Sequence, residues 1–331
     1  MTVLRCLAAA ALLALLVPAV YADVPPLQLQ MTVPVGGEGR WDYLTADVAA
    51  RRLYVTRGSH TQVLDLDTGS LVGDVPGSNR AHGVAIVPDL KLGFVSSGGD
   101  NTVIAFDTET FKVKGTIKTG ASPDAIVYDP ASKHVLAMDH RGGDIAVIDP
   151  ADLTKDPARI TVGGTLEYAA VDGAGHCYVN VEDKSEIAAI DTKANTVLAH
   201  WSLAPGDGPT GLAIDPVHHH LFAGCGNKMM VVLDSDSGKC LGTPAIGAGC
   251  DGVAFDADSG LALAACGRDA VVSVIAETAP GRFDCVQSVK SVAGARTIAI
   301  DRAKHRALLP CLAPDANGGM TFSIAVIGPK Q

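Results

Sequence analysis

The sequence predicts an all-β fold built from repeats, and two observations support this class. A phrase of the form LYVTRGSHTQVLDLDTG at 53–69 returns in degenerate copies about every 42 residues along the chain. Apolar and polar residues alternate with a period of two in most copies, without a sustained helical period. Repeats of roughly 40–50 residues made of short alternating strands are typical of a β-propeller.

Each repeat begins with a strand of small residues that ends at an acidic or turn-forming position. The aligned end positions are Asp47, Val87, Asp129, Asp172, Asp215, Asp256 and Asp301. Their separations of 40, 42, 43, 43, 41 and 45 residues leave no long gap between repeats. The spacing therefore predicts seven blades.

Each blade is expected to hold four strands, with a tight turn between the third and the fourth. Asp-Thr-Gly, Asp-Thr-Glu and Asp-Ser-Gly sequences mark these turns, because Asp and Gly suit tight reversals. The last repeat has no fourth strand of its own, but LQLQMTVPVGG at 27–37 matches the pattern of a fourth strand. We expect this N-terminal strand to complete the last blade and close the ring, which removes the exposed sheet edges.

Residues 1–22 have the pattern of a signal peptide. Arg5 gives a positive start, an apolar run covers 7–17, and small residues at 20–22 form a cleavage site. The apolar run is shorter than an ordinary transmembrane helix. We therefore expect an exported protein, periplasmic or extracellular, without a transmembrane segment after cleavage, in which 23–331 form a single propeller domain.

The charge balance of the mature chain argues against nucleic acid as a partner. Cleavage removes Arg5 from 26 basic residues and leaves 25 against 36 acidic ones, a net charge of −11. Binding to nucleic-acid backbones depends on cationic contacts, which such a surface disfavours.

The repeat also resembles a known family. Leu53-Tyr54-Val55-Thr56, followed by the strand and Asp-Thr-Gly turn at 63–69, is similar to the YVTN-type repeat of YncE-like exported bacterial β-propellers. The resemblance covers essentially the whole mature chain. It implies the propeller architecture and says less about function, since related propellers serve as binding scaffolds and a few carry enzymatic or metal sites.

Candidate functional residues are found by reading the first positions of the seven inner strands. In a propeller these positions point into the mouth of the central channel, and convergent polar groups in a concave site indicate ligand binding. The residues in this slot are Trp41, Asp42, Tyr43, His82, Asp124, Glu167, Thr210, Asp251 and Arg296.

Three functions are compatible with this set. The first is a binding scaffold, not an evident enzyme, whose loop-rich face takes a small molecule or an envelope protein. The second is a lactonase-like hydrolase or a lyase, with His82 as acid or base among Asp124, Glu167 and Asp251, Arg296 as an anion clamp, and a divalent metal as an assistant. The third is a scaffold that binds through blade edges. The sequence requires no cofactor.

Metal and disulfide sites are further alternatives. His60, His82 and His140 lie on three adjacent repeats and offer nitrogen ligands, although no compact ligand spacing exists. Seven cysteines follow the signal segment. Cys250 begins an inner strand on the same face as the ends of the strands that carry Cys225 and Cys266, so a disulfide to either one is sterically compatible with the fold, and the sequence does not decide the pairing.

Overall fold

The computed structural model describes residues 26–37 and 39–330, so the predicted signal peptide lies outside the described residues. Within this part of the chain no helix is long and apolar enough to cross a membrane. Three short 3-10 helices cover Pro88–Leu90, Glu182–Lys184 and Arg302–Lys304. Among the described residues the remaining regular structure is entirely β, as predicted. The strands are β1 (Leu27–Pro34), β2 (Leu44–Asp47), β3 (Arg52–Thr56), β4 (Gly58–Asp65), β5 (Leu71–Val87), β6 (Leu92–Ser97), β7 (Thr102–Asp107), β8 (Val113–Lys118), β9 (Pro123–Asp129), β10 (His134–Asp139), β11 (Asp144–Ile148), β12 (Ala158–Thr161), β13 (Leu166–Val171), β14 (His176–Val181), β15 (Glu186–Asp191), β16 (Thr196–Ser202), β17 (Pro209–Asp215), β18 (His220–Cys225), β19 (Met229–Asp234), β20 (Cys240–Gly242), β21 (Cys250–Asp256), β22 (Leu261–Cys266), β23 (Val271–Ala279), β24 (Arg282–Lys290), β25 (Ala299–Asp301), β26 (Arg306–Pro314) and β27 (Met320–Pro329).

These strands form antiparallel sheets of neighbours in sequence. Strands β9–β12, β13–β16, β17–β20 and β21–β24 each make a four-stranded sheet, and β2–β8 make a seven-stranded one. The long strand β5 joins two repeats, because its first half pairs with β4 and its second half with β6. The last sheet has the order β1-β27-β26-β25. The predicted N-terminal strand is therefore present, and it pairs antiparallel with β27 from Leu27 opposite Pro329 to Pro34 opposite Ser323.

The repeat phrase folds as its turn chemistry predicts. The carboxylate of Asp65 accepts hydrogen bonds from the backbone N–H groups of Asp67 and Thr68 and from the Thr68 hydroxyl. Gly69 then takes a φ of 73°, which glycine adopts without steric cost. Asp107 and Asp234 repeat this arrangement at the equivalent turns.

The first strands of the repeats pack side by side. In chain order β2, β5, β9, β13, β17, β21 and β25 each contact the next, and β25 contacts β2. Glycine allows the close approach at the start of these strands: a Cβ atom on Gly211 would lie 2.7 Å from the backbone nitrogen of Val253. This packing explains the small residues of the predicted inner strands.

The hydrophobic core is divided into clusters between neighbouring sheets. One cluster joins the first and last sheets of the chain, with Leu53 and Leu64 packed against Leu308 and Ile324. Another joins β21–β24 to the last sheet, around Leu263, Val274 and Leu309. Burial of these side chains, at about 1.5–3 kcal/mol each, holds each sheet to its neighbours.

Candidate functional site

The inner strands line a cavity of about 690 Å³. Its walls are mainly aliphatic and aromatic, with Leu44, Val84 and Ile126 near one end and Asp47 and Arg302 among the residues at the other. Asp42, His82 and Asp124 come two residues before Leu44, Val84 and Ile126. They lie at or just before the first positions of the inner strands, at the end away from Asp47, and none of the three lines the cavity itself. We call this end of the inner strands the mouth.

His82 lies between two carboxylates in this mouth. Its Nδ1 atom is 2.6 Å from Oδ2 of Asp42 and 3.5 Å from Oδ2 of Asp124. The backbone holds these residues in place: the hydroxyl of Thr56 donates to the carbonyl of His82, and the hydroxyl of Ser96 donates to the carbonyl of Asp124. The other nitrogen of the ring, Nε2, is buried, and a Cβ atom on Gly98 would lie 2.9 Å from it.

Burial and charge shift the titration of this group. Burial, together with the negative charges of Asp42 and Glu167, raises the pKa of Asp124 to about 7, against the attraction of His82. Burial alone would lower the pKa of His82, but the hydrogen bond to Asp42 and the charge of Asp124 raise it overall. The Oδ1 atom of Asp124 is buried and has no hydrogen-bond partner among the described residues. Asp124 therefore presents a carboxyl group that can gain or lose a proton near neutral pH.

Arg296 connects Asp42 to Asp251, which belong to the repeats on either side of its own. Its Nε atom donates to Oδ2 of Asp251 at 2.5 Å, and its Nη2 atom lies 3.5 Å from Oδ1 of Asp42. Burial and the charge of Asp42 raise the pKa of Asp251 to about 6, although Arg296 acts against both. Even with Arg296 beside it, Asp251 lies in a negative environment.

A second group lies next to the first. The Tyr43 hydroxyl donates to Oε2 of Glu167 at 3.4 Å, and Nδ1 of His140 lies 3.2 Å from Oε1 of the same carboxylate. Nδ1 of His140 also lies 3.0 Å from the carbonyl oxygen of Leu166, and since a carbonyl only accepts, this nitrogen carries the proton. The hydrogen bond to Glu167 raises the pKa of His140 to about 9. Four carboxylates and three basic side chains thus meet at the mouth.

Two predicted binding residues have other contacts. Trp41 packs against Phe322 with ring centroids 5.5 Å apart, beside the core that joins the first and last sheets. The Thr210 hydroxyl donates to the carbonyl of Cys250, so it links two inner strands. The structure therefore brings together Asp42, Tyr43, His82, Asp124, Glu167, Asp251 and Arg296.

The three histidines considered as metal ligands do not meet. Nε2 of His60 lies 3.6 Å from Asp74, and His140 belongs to the Glu167 group. Only His82 has two carboxylates at ligand spacing, with Asp42 and Asp124, whose ligand atoms lie within 4.8 Å of one another. These three residues are the ones at the mouth that could hold an ion.

The seven cysteines of the described chain are all free thiols. Cys250 and Cys266 are direct partners in the register of β21 and β22. The thiol of Cys250 donates to the carbonyl oxygen of Gly252, and the interaction with Cys250 lowers the pKa of Cys266. The disulfide from Cys250 stays a prediction, and Cys266 is its cross-strand neighbour.

Tyr168 is a site residue that was absent from the sequence-based set. Its ring contacts that of Tyr43 edge to face, with centroids 5.0 Å apart, and it lines the apolar cavity. It therefore marks the boundary between the polar mouth and the channel. Its position immediately after Glu167, in a slot where four of the other repeats carry Gly or Ala, is the signal that could have identified it.

Comparison with known proteins supports the fold and no particular function. No family profile and no curated protein matches the chain. Among solved structures, Kuenenia stuttgartiensis hydrazine synthase is similar, with a TM-score of 0.71 and 12% identity over 93% of this chain and 98% of that chain. At this identity the likeness concerns the fold alone, and it supports a β-propeller-like architecture for this all-β chain.

Proposed function

We propose that residues 23–331 form one closed propeller of seven blades and that residues 1–22 direct its export. The side-by-side contacts of the inner strands and the pairing of β1 with β27 support the closed ring. In this ring the long β5 contributes to two blades, and the seven-stranded sheet counts as two. The similarity of the repeat to YVTN-type propellers supports the same architecture.

The mouth of the central channel binds a small molecule that carries a basic group. The observation that carries this proposal is the excess of carboxylates around the unpartnered Oδ1 atom of Asp124. A protonated amine placed there would donate to this oxygen and offset the repulsion among Asp42, Asp124 and Glu167. The same negative potential would exclude an anionic ligand.

The channel accommodates the uncharged part of the ligand. Sites for small molecules have volumes of roughly 300–1,000 Å³ and largely apolar walls, and the cavity of about 690 Å³ falls in this range. Tyr43 and Tyr168 lie where the polar mouth meets the apolar wall, and aromatic faces attract cations. The geometry therefore favours a ligand with a cationic head and an apolar tail.

The test compares ligands of equal length and different charge. Binding of hexylamine, hexanol and hexanoate at pH 8 is measured by calorimetry on the wild type, Asp124→Asn and the exposed control Asp156→Asn. We expect hexylamine alone to bind, with an affinity about tenfold lower in Asp124→Asn, which corresponds to about 1.4 kcal/mol, and unchanged in Asp156→Asn. Equal binding of all three ligands, or an unchanged affinity in Asp124→Asn, would refute the proposal.

An enzymatic role is the second candidate, and the titration of Asp124 favours it. A carboxyl group with a pKa of about 7 is suited to general acid or base catalysis at neutral pH. His82 is less suited, because Nδ1 faces the carboxylates and Nε2 is buried beside Gly98. Hydrolysis of a panel of lactones and esters that disappears in Asp124→Asn would support this role over binding alone.

A further inference from the structure

A second cluster of ligand-type side chains lies at the opposite end of β21 from Asp251. Asp256 ends β21, Asp258 is in the following turn, and His305 lies between the 3-10 helix Arg302–Lys304 and β26. One ligand atom from each of the three lies within 4.8 Å of the others, and Nδ1 of His305 is 3.1 Å from Oδ2 of Asp256. Asp251 and Asp256 are five positions apart along β21, at about 3.3 Å per position, so this cluster and the mouth are well separated.

Asp256 differs from the aspartates at the same position of other repeats. Asp129 accepts backbone N–H groups of its turn on both carboxylate oxygens. Asp215 accepts two backbone N–H groups on Oδ1 and faces His218 with Oδ2. Asp256 accepts from the Ser259 hydroxyl on Oδ2, but its Oδ1 has no partner within the described chain, although the residue is only 5% exposed. A buried carboxylate oxygen without a partner is unfavourable. A cationic ligand would supply the partner for Oδ1 that the turn does not provide.

The surroundings of the cluster leave room for such a ligand. A cavity of about 290 Å³ is lined by Asp256, Asp258 and His305 on one side and by Leu27, Leu261 and Pro329 among its apolar residues. One imidazole nitrogen and two carboxylates form a donor set for Zn²⁺ or Mn²⁺, with the remaining coordination positions taken by water.

We propose that Asp256, Asp258 and His305 bind one divalent transition-metal ion. The two aspartates belong to the sheet β21–β24 and His305 belongs to the last sheet, which also contains the N-terminal strand β1. A bound ion therefore links two neighbouring sheets at the place where β1 completes the last one. An ion that binds only this folded arrangement stabilises it.

The experiment uses the purified protein after treatment with EDTA and dialysis. ZnCl₂ or MnCl₂ is added, bound metal is counted by elemental analysis, and Tm is measured. We expect each of the single variants His305→Ala and Asp258→Asn to bind one metal ion fewer than the wild type. We also expect the wild type to gain at least about 3 °C in Tm at a hundredfold excess over Kd, and both variants to lose that gain. Because both altered side chains are exposed, the apo variants should fold, which circular dichroism verifies.

Two control variants distinguish this site from other histidine–carboxylate pairs. His218→Ala alters the His218–Asp215 pair at the equivalent turn of another repeat, and His82→Ala alters the mouth. Both should keep the ion at Asp256 and the associated gain in Tm. The proposal is overturned if the wild type binds neither metal, or if His305→Ala keeps the wild-type stoichiometry and Tm gain. Neither result bears on amine binding at the mouth.

Discussion

Arg51 donates two parallel hydrogen bonds to the carboxylate of Asp301, from Nη1 to Oδ1 at 2.8 Å and from Nη2 to Oδ2 at 2.9 Å. Arg51 is in the turn between β2 and β3, and Asp301 ends β25. The pair thus joins the first repeat of the chain to the last. The Asp301 side chain is fully buried, and Arg306 is its second basic partner.

Removal of this pair should weaken the junction between the first and last sheets. In Arg51→Ala a buried carboxylate loses its bidentate partner, which costs more than the loss of an exposed pair. With Arg306 still present, we expect a decrease of about 2–4 kcal/mol in the free energy of unfolding, measured by urea denaturation. Lys91→Ala, which removes an exposed pair with Glu109, is the control and should cost less than about 1 kcal/mol. Equal losses in both variants would contradict the expectation.

The strands and turns could be predicted because their causes are local and repeated. The alternation of apolar residues recurs in most copies and tight turns that begin with Asp recur in several, so the alignment at Asp47, Asp129 and Asp215 located the ends of the inner strands. The same alignment predicted that Asp42, His82, Asp124 and Arg296 converge, because equal positions in the repeats occupy equal positions around the channel. Much of the candidate site was thus accessible from sequence.

The pairing within the site could not be predicted, because it depends on side-chain conformation. Trp41 shares the slot of Asp42 and Tyr43, yet its indole packs against Phe322 in the core. The pairing of Glu167 with His140 joins different elements and has no repeated counterpart. The cluster at Asp256 was missed because it arises where one turn departs from the repeat, and a consensus conceals such departures.

Oxidation should link Cys250 to Cys266 and leave Cys225 free. Directly paired Cα atoms on antiparallel strands are roughly 4.5–5.5 Å apart, within the range for a disulfide. The lowered pKa of Cys266 also favours the thiolate that begins the exchange. Peptide mass spectrometry after mild oxidation should detect the 250–266 bond in the wild type and in Cys225→Ser. A bond between Cys250 and Cys225 would show that this register does not determine the pairing.

An alanine at position 98 should disturb His82, and its Cβ atom would also lie 3.1 Å from the backbone carbonyl oxygen of Pro123. Its Cβ atom would lie 2.9 Å from Cδ2 and Nε2 of the imidazole, which pushes the ring and weakens its hydrogen bond to Asp42. We expect about fivefold weaker binding of hexylamine, equivalent to about 1 kcal/mol. Gly226→Ala is the matched control, because it follows the equivalent strand and the nearest atom to its Cβ would be 3.5 Å away. Equal affinities in the two variants would argue against a role of His82 in the site.

Binding of amines should strengthen as the pH rises. The pKa of Asp124, raised to about 7, means that this carboxyl group becomes anionic mainly above neutral pH. A primary amine stays protonated throughout the range from pH 6 to pH 8, so the change reports the protein. Calorimetry with hexylamine should show affinity increasing about tenfold from pH 6 to pH 8 in the wild type. Asp124→Asn should show a nearly flat profile, and a parallel profile in this variant would assign the titration to another group.

The same pKa has a consequence for stability. The folded-state pKa of about 7 lies above the value of about 3.9 for an unfolded aspartate, so the folded state holds its proton more tightly. The stabilising contribution is therefore complete below about pH 4 and is lost as the pH rises through 7. Asp124→Asn lacks this loss, because its amide does not ionise. We measure the free energy of unfolding by urea denaturation at pH 5 and pH 8. Between these two values, the free energy of unfolding of Asp124→Asn should increase relative to that of the wild type by on the order of 2–4 kcal/mol. The control Asp156→Asn should show no such relative increase in stability. An equal increase in Asp156→Asn, or no increase in Asp124→Asn, would show that burial does not hold the Asp124 proton in the folded protein.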